Sequence, residues 1–145
     1  MRSYATTSAA LLLATCAAAA PARSTELRVT ATNVGSDAGS LVVWVYDSAD
    51  SWLGDGWRTQ KVVKIAGNRQ DGAISVQLDL PPGEYALSVF HDLNDDGKLA
   101  RNFIGIPKEP AGLSNNLRPK FGPPRFKDAK FTVADTPVEQ RIELN

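Results

Sequence analysis

The chain has 145 residues, of which 43% are hydrophobic and 22% charged, with 16 Lys and Arg balancing 16 Asp and Glu. That length holds one domain, and a near-neutral composition without a basic block gives no electrostatic footprint for nucleic acid or anionic membranes. The single cysteine, Cys16, excludes an internal disulfide framework.

Residues 1–22 read as a cleavable secretory signal peptide. Arg2 gives a positive start, residues 9–20 are almost wholly Ala and Leu, and Ala20-Pro21-Ala22 presents small residues at the positions a signal peptidase reads. The apolar run is shorter than the roughly 20 residues of a transmembrane helix, and no second candidate follows. The expected mature domain is therefore 23–145, periplasmic or secreted, with no thiol. A competing reading takes Leu13-Ala14-Thr15-Cys16 as a lipoprotein signal with Cys16 acylated, although Thr15 stands where a smaller residue is usual.

From Thr25 onward apolar residues recur at strand spacing and no window keeps a helical period, which predicts an all-β domain. Strands are expected over 26–33, 40–47, 61–66, 73–80, 84–91, 129–134 and 138–144, and seven short strands suit a single antiparallel sandwich. Leu41-Val42-Val43-Trp44-Val45-Tyr46 is apolar on both faces, as in a strand buried on both sides or covered outside by a loop. Residues 74–80 and 138–144 alternate apolar and polar, as half-solvated strands do. Pro81-Pro82-Gly83 predicts a tight type II hairpin turn between the fourth and fifth strands, with Gly83 at positive φ.

His91-Asp92-Leu93-Asn94-Asp95-Asp96-Gly97-Lys98 leaves the fifth strand and matches the D-x-[DN]-x-[DN]-G core of a Ca²⁺ loop. Asp92, Asn94 and Asp96 at alternate positions can curl around a hard cation that collects about six to eight oxygens, Gly97 permits the sharp turn, and the Lys98 carbonyl adds a ligand. Ala100 and Phe103 stand where the loop would be closed, so Asn102, Asn115, Asn116 or water would have to finish it. The alternative is a plain Asx turn with Gly97 at positive φ. His91, the only histidine, reads as a hydrogen-bonded strand-end residue. A hydrolytic pairing of His91 and Asp92 with Ser88 or Ser114 lacks any nucleophile-elbow signature, and zinc lacks a ligand set.

Trp44, Trp52 and Trp57 either form a stacking platform for a ligand or cap the open end of the sandwich. Residues 103–128 carry five prolines and three glycines with no strand-length alternation. So long a loop is commonly functional, and Phe103, Ile104, Leu113, Phe121 and Phe126 predict that it packs on the sandwich.

The runs Leu80-Pro81-Pro82-Gly83-Glu84-Tyr85-Ala86, His91-Asp92-Leu93-Asn94, Gly97-Lys98-Leu99, Gly105-Ile106-Pro107-Lys108-Glu109, Ser114-Asn115-Asn116 and Phe121-Gly122-Pro123-Pro124-Arg125-Phe126 resemble the bacterial family called domain of unknown function 2141. The resemblance spans most of residues 23–145. It implies an exported sandwich similar in build to transthyretin-like domains, no established activity, and an ordered long loop. Ala100 and Arg101 depart from the acidic residue that members commonly carry after Gly-Lys-Leu.

Together these readings point to a non-enzymatic binding or structural module of the bacterial envelope. Its long loop and adjoining turn would recognise a protein or glycan, with Ca²⁺ as a stabilising ion. A lipid-tethered envelope protein and a hydrolase using His91 and Asp92 are the rival functions.

Overall fold

The computed structural model describes residues 23–145. The signal peptide expected over 1–22 and the Cys16 alternative lie outside the described residues. The elements are β1 (Thr25–Thr32), β2 (Ser40–Tyr46), β3 (Thr59–Lys64), β4 (Ile74–Leu80), β5 (Gly83–Asp92), β6 (Ala111–Leu113), a 3-10 turn (Ser114–Asn116), α1 (Phe126–Ala129), β7 (Phe131–Val133) and β8 (Val138–Glu143). One sheet has the order β4-β1-β8 and the other β3-β2-β5-β6, with β7 also paired to β5. The fold is an all-β sandwich.

The alternating strands behave as their patterns dictate. Ile74, Val76 and Leu80 of β4 and Ile142 of β8 point inward onto Leu27, Val29 and Ala31 of β1, while Ser75, Gln77 and Asp79 face solvent. The opposing sheet contributes Leu41, Val43 and Val45 from β2 and Leu87 and Val89 from β5 to the same core. Strand β2 is buried along its whole length. Its other face, Val42, Trp44 and Tyr46, joins Phe90 in a second apolar cluster on the outside of the larger sheet.

Trp52, Trp57 and Phe126 pack against that second cluster from the loops. Trp57 stacks on Trp44 with ring centroids 4.8 Å apart, and Trp52 meets Tyr46 edge-on at 5.2 Å and Phe126 at 6.1 Å. Each such pair contributes about 0.5–1.5 kcal/mol beyond the area it buries. The tryptophans therefore roof the outer face of the sheet, not the open end of the sandwich.

Four expectations are corrected. The described residues form eight strands, because β6, three residues between Pro110 and Ser114, is too short to show alternation and exists only by pairing with β5. The sandwich is not wholly antiparallel: β8 runs parallel to β1, Leu27 opposite Val138 through Thr32 opposite Glu143. No short hairpin leads into β8, so its direction is free. Pro81-Pro82-Gly83 makes no hairpin, since β4 pairs with β1 and β5 with β2 in the other sheet. Two prolines without N–H groups cannot extend a ladder, and they serve instead as a stiff corner. Gly83 is not at positive φ; the corner is clasped by the Tyr85 hydroxyl, which donates to the Pro81 carbonyl at 2.9 Å. Finally, of the five apolar residues of 103–128 expected to pack on the sandwich, only Leu113 and Phe126 are even partly covered, whereas Phe103, Ile104 and Phe121 are exposed.

The Ser114-Asn115-Asn116 run is the clip that joins the sheets. β6 and β7 pair with residues 88–90 and 83–85 of β5, which leaves the Leu87 N–H between them without a strand partner. Buried Ser114 fills the gap: its Oγ accepts from Leu87 N–H at 2.9 Å and donates to the Ala129 carbonyl at 2.6 Å. Asn115 N–H donates to Gln140 Oε1 at 2.8 Å, and Asn116 Oδ1 accepts from Glu143 N–H at 3.0 Å, both on β8. Asn115 and Asn116 take φ of 59° and 49°, the left-handed region Asn tolerates best after Gly. Ser114→Ala leaves a buried N–H and a buried carbonyl unpaired and is expected to cost about 2–4 kcal/mol in denaturant unfolding. A loss under about 0.5 kcal/mol, the range of an ordinary surface substitution, would show that the clip is dispensable.

Candidate functional site

The chain leaves β5 at Asp92, and the turn that follows is built by carboxylates. Asp92 is 2% exposed; its Oδ2 accepts from Gly97 N–H at 2.8 Å and its Oδ1 from Asp96 N–H at 3.2 Å. Asp96 Oδ1 accepts from Lys98 N–H at 2.8 Å, and Asn94 Nδ2 donates to Asp96 Oδ2 at 3.1 Å. Gly97 sits at φ 72°. Gly39 crosses the base of the turn so closely that a Cβ there would lie 2.0 Å from the Asp92 carbonyl oxygen.

Asp95 turns the other way. It accepts from Lys64 Nζ and Ser40 Oγ, each at 2.5 Å, and the Lys64 hydrogen bond, followed by that of Ser40, holds its carboxyl below the usual range. Sequence reasoning missed Glu109. It is buried, with Oε1 accepting from Leu93 N–H at 3.0 Å and Oε2 from Ala100 N–H at 3.2 Å, so one carboxylate spans the two ends of the turn. Glu109 stands in the Gly105–Glu109 run that carries the family resemblance, but nothing in that run signals that its carboxylate closes the turn.

The proposed metal residues Asp92, Asn94, Asp96 and Lys98 thus do share one turn, but the groups offered to complete a shell lie elsewhere. Asn102 Oδ1 accepts from Ile104 and Ile106 N–H at 3.1 and 2.9 Å, and Asn115 and Asn116 are the sheet clip. Among the described residues no group of three or more His, Cys, Asp or Glu could hold a metal ion. His91 and Asp92 point to opposite faces of β5. The His91 ring is 1% exposed, with Nε2 hydrogen-bonded to the Ala38 carbonyl at 2.6 Å. Ser114, the other residue of the hydrolytic reading, is the buried clip, and Ser88 is buried on the face opposite His91.

Beyond the turn, residues 100–108 fold back as a small hairpin. Asn102 N–H donates to the Ile106 carbonyl and Lys108 N–H to the Ala100 carbonyl, both at 2.8 Å. Residues 117–124 form a second projection, held at one end by the Arg118–Glu143 ion pair at 3.0 Å and at the other by Trp52 Nε1, which donates to the Pro124 carbonyl at 3.0 Å. Both are anchored at the base and bare at the tip, with Phe103 99% and Phe121 96% exposed.

Between the projections lies a groove of about 970 Å³, floored by β6 and walled by Ile104, Ile106, Leu117 and Pro123. That is the upper end of the size typical of ligand pockets. Arg101 lines it without an ion-pair partner among the described residues. Below it, burial pushes the Tyr46 phenol up to about 12, with Arg101 pulling down and Asp55 up, so Tyr46 stays protonated and donates to the Gly54 carbonyl at 3.1 Å.

The overall neutrality conceals a segregation. Residues 97–130 carry eight Lys and Arg against two acids, Glu109 and Asp128, leaving seven against fourteen in the rest of 23–145. β6 and β7 hold this segment along the side of β5 away from β2. A windowed charge count, not the total, carries the signal.

A family model described as an uncharacterized protein conserved in bacteria (DUF2141) matches residues 29–141. No curated protein and no solved structure matches the chain.

Proposed function

Since this chain belongs to the bacterial DUF2141 family, whose description names no activity, we propose from its own geometry that it is a non-enzymatic binding module of the bacterial envelope. The observation that carries the proposal is the pair of anchored projections, 100–108 and 117–124, with an apolar groove between them. A rigid β-scaffold presenting loops is the usual arrangement for recognition. The anchors pay the ordering cost in advance, which favours affinity. Support for a non-enzymatic reading comes from what His91, Asp92 and Ser114 do: each is buried and committed to backbone partners. An exported location follows from the signal-peptide reading of 1–22.

An apolar fluorescent anion, 1-anilinonaphthalene-8-sulfonate, serves as a probe of the groove. It is expected to bind the native protein saturably at one site. Ile106→Asp, on the groove wall, weakens it about tenfold by removing apolar contact, while Val62→Asp, at a 52% exposed position of β3, leaves it unchanged. Absence of binding, or equal loss in both variants, contradicts the groove reading.

One observation favours Ca²⁺ as a second ligand. The Asp96 N–H is shared between Asp92 Oδ1 at 3.2 Å and Asn94 Oδ1 at 3.4 Å, and Asn94 Nδ2 donates to Asp96 Oδ2 at 3.1 Å, so the three side chains are linked within one turn. Two carboxylates and an amide are a sparse set for a cation that takes about six to eight oxygens, which fits weak binding, on the order of 10⁻⁴ M or weaker, completed by the Lys98 carbonyl and water. Millimolar Ca²⁺ is expected to raise the melting temperature of the wild type. Asp96→Ala abolishes the rise with little effect in chelator, whereas Asp92→Ala lowers stability by about 2–3 kcal/mol even in chelator, because two N–H groups lose a charged acceptor. No Ca²⁺-dependent shift in the wild type would leave the turn purely structural.

A further inference from the structure

We infer that the face formed by the two projections docks on an anionic phospholipid bilayer, with Phe103 and Phe121 entering the interface and the surrounding Lys and Arg holding the headgroup phosphates. The inference rests on the recognition face proposed above and names its partner.

Three observations carry it. First, two almost fully exposed phenylalanines at separate loop tips cost solubility and stabilise nothing inside the molecule, while Ile104 and Ile106, next to Phe103 in the first projection, are 63% and 54% exposed. Contiguous apolar exposure rimmed by polar groups marks an interaction surface. Second, the segment that carries both tips, 97–130, holds eight Lys and Arg against two acids, Glu109 and Asp128, and the groove's Glu143 is paired with Arg118. Glu109 is spent on two backbone N–H groups, and Asp128 is paired with Arg125 at 3.0 Å. Lys98, Arg101, Lys108, Lys120 and Lys127 form no ion pair among the described residues, and all five are exposed.

Third, the tips are carried on anchored bases. The hairpin is held by Glu109 and the Asn102 side chain, and 117–124 by Arg118 and Trp52. Insertion therefore needs little new ordering of the backbone.

An anionic bilayer satisfies both halves of this surface at once. Its interface accepts aromatic rings, and its phosphates attract flanking cations, which is how peripheral proteins combine apolar burial with charge. A protein partner would need an acidic rim around a hydrophobic centre, and a nucleic-acid duplex, its bases already stacked on one another, would leave the phenylalanines in water. Neither uses both features as fully.

The test is flotation of the exported protein with vesicles of phosphatidylcholine alone and with about one third phosphatidylglycerol. Binding is expected only to the anionic vesicles and is expected to weaken as salt rises. Lys98→Glu, Lys120→Glu and Lys127→Glu together should weaken it at least about a hundredfold, since each basic residue near such a surface contributes about fivefold. Phe103→Ser with Phe121→Ser should weaken it at least about tenfold at unchanged charge. These variants share one N-terminus, so a retained leader would affect all alike. A fluorophore on Phe103→Cys should shift to the blue on anionic vesicles.

Equal binding to both vesicle types, or retention of binding by the double Phe variant, overturns the inference. So does heparin or duplex DNA binding as tightly as the vesicles and untouched by the Phe changes, which would mark a general polyanion surface. The Phe variants leave the groove wall intact, so probe binding without vesicle binding rejects the bilayer and preserves the groove, while loss of both in the wild type rejects both.

Discussion

The structure depends on the double burial of β5 and its neighbour β2. Eight of the ten residues of β5 and all seven of β2 are buried, so the larger sheet cannot leave its outer face to water as half-solvated antiparallel sheets do. Among the described residues there is no third layer of strands and no long helix to supply the cover. Loops must do it, and loops cover an apolar face only if their own polar backbone is satisfied. From that constraint come the tryptophan roof over Val42, Trp44 and Tyr46 and the dense side-chain bonding of the segments after β5.

The same constraint explains why acids and amides here act on the backbone. Asp92 takes two N–H groups, Glu109 two more, Asn102 two more, and Ser114 bridges a gap in the ladder beside Leu87. Each fixes a bend that has no regular secondary structure to fix it. What the bends leave bare is apolar: among the described residues Phe103 and Phe121 are 99% and 96% exposed, although their bases are held in place. Ordered loops that bare their aromatic tips are the observation on which the proposed recognition role rests.

Much of the scaffold was legible in the amino-acid order because strand periodicity is local. The alternation in 74–80 and 138–144 and the unbroken apolar run of 41–46 predict their burial residue by residue, and the family resemblance agrees with the match over 29–141. What failed was non-local. Pairing partners decide whether Pro81-Pro82-Gly83 is a hairpin or a corner, and whether Gly112 sits in a strand. The turn at Asp92 was found by its spacing, yet Glu109, which closes it, was invisible because its partners are backbone groups 16 and 9 residues away. The apolar residues of the long loop were taken as cover for the sandwich by composition alone, and composition cannot separate Phe126, which covers, from Phe121, which does not.

Hydrogen exchange of the backbone amides tests the central claim, that the projections are ordered from their bases by these side-chain bonds. Leu87, Leu93, Gly97, Ala100 and Ile106 each donate to a side-chain oxygen and are expected to exchange slowly, with Leu87 approaching the slowest amides of β2 and β5. Exchange of Leu93, Gly97, Ala100 and Ile106 at the rate of an unstructured chain would contradict the account and leave the loops as an unfixed covering.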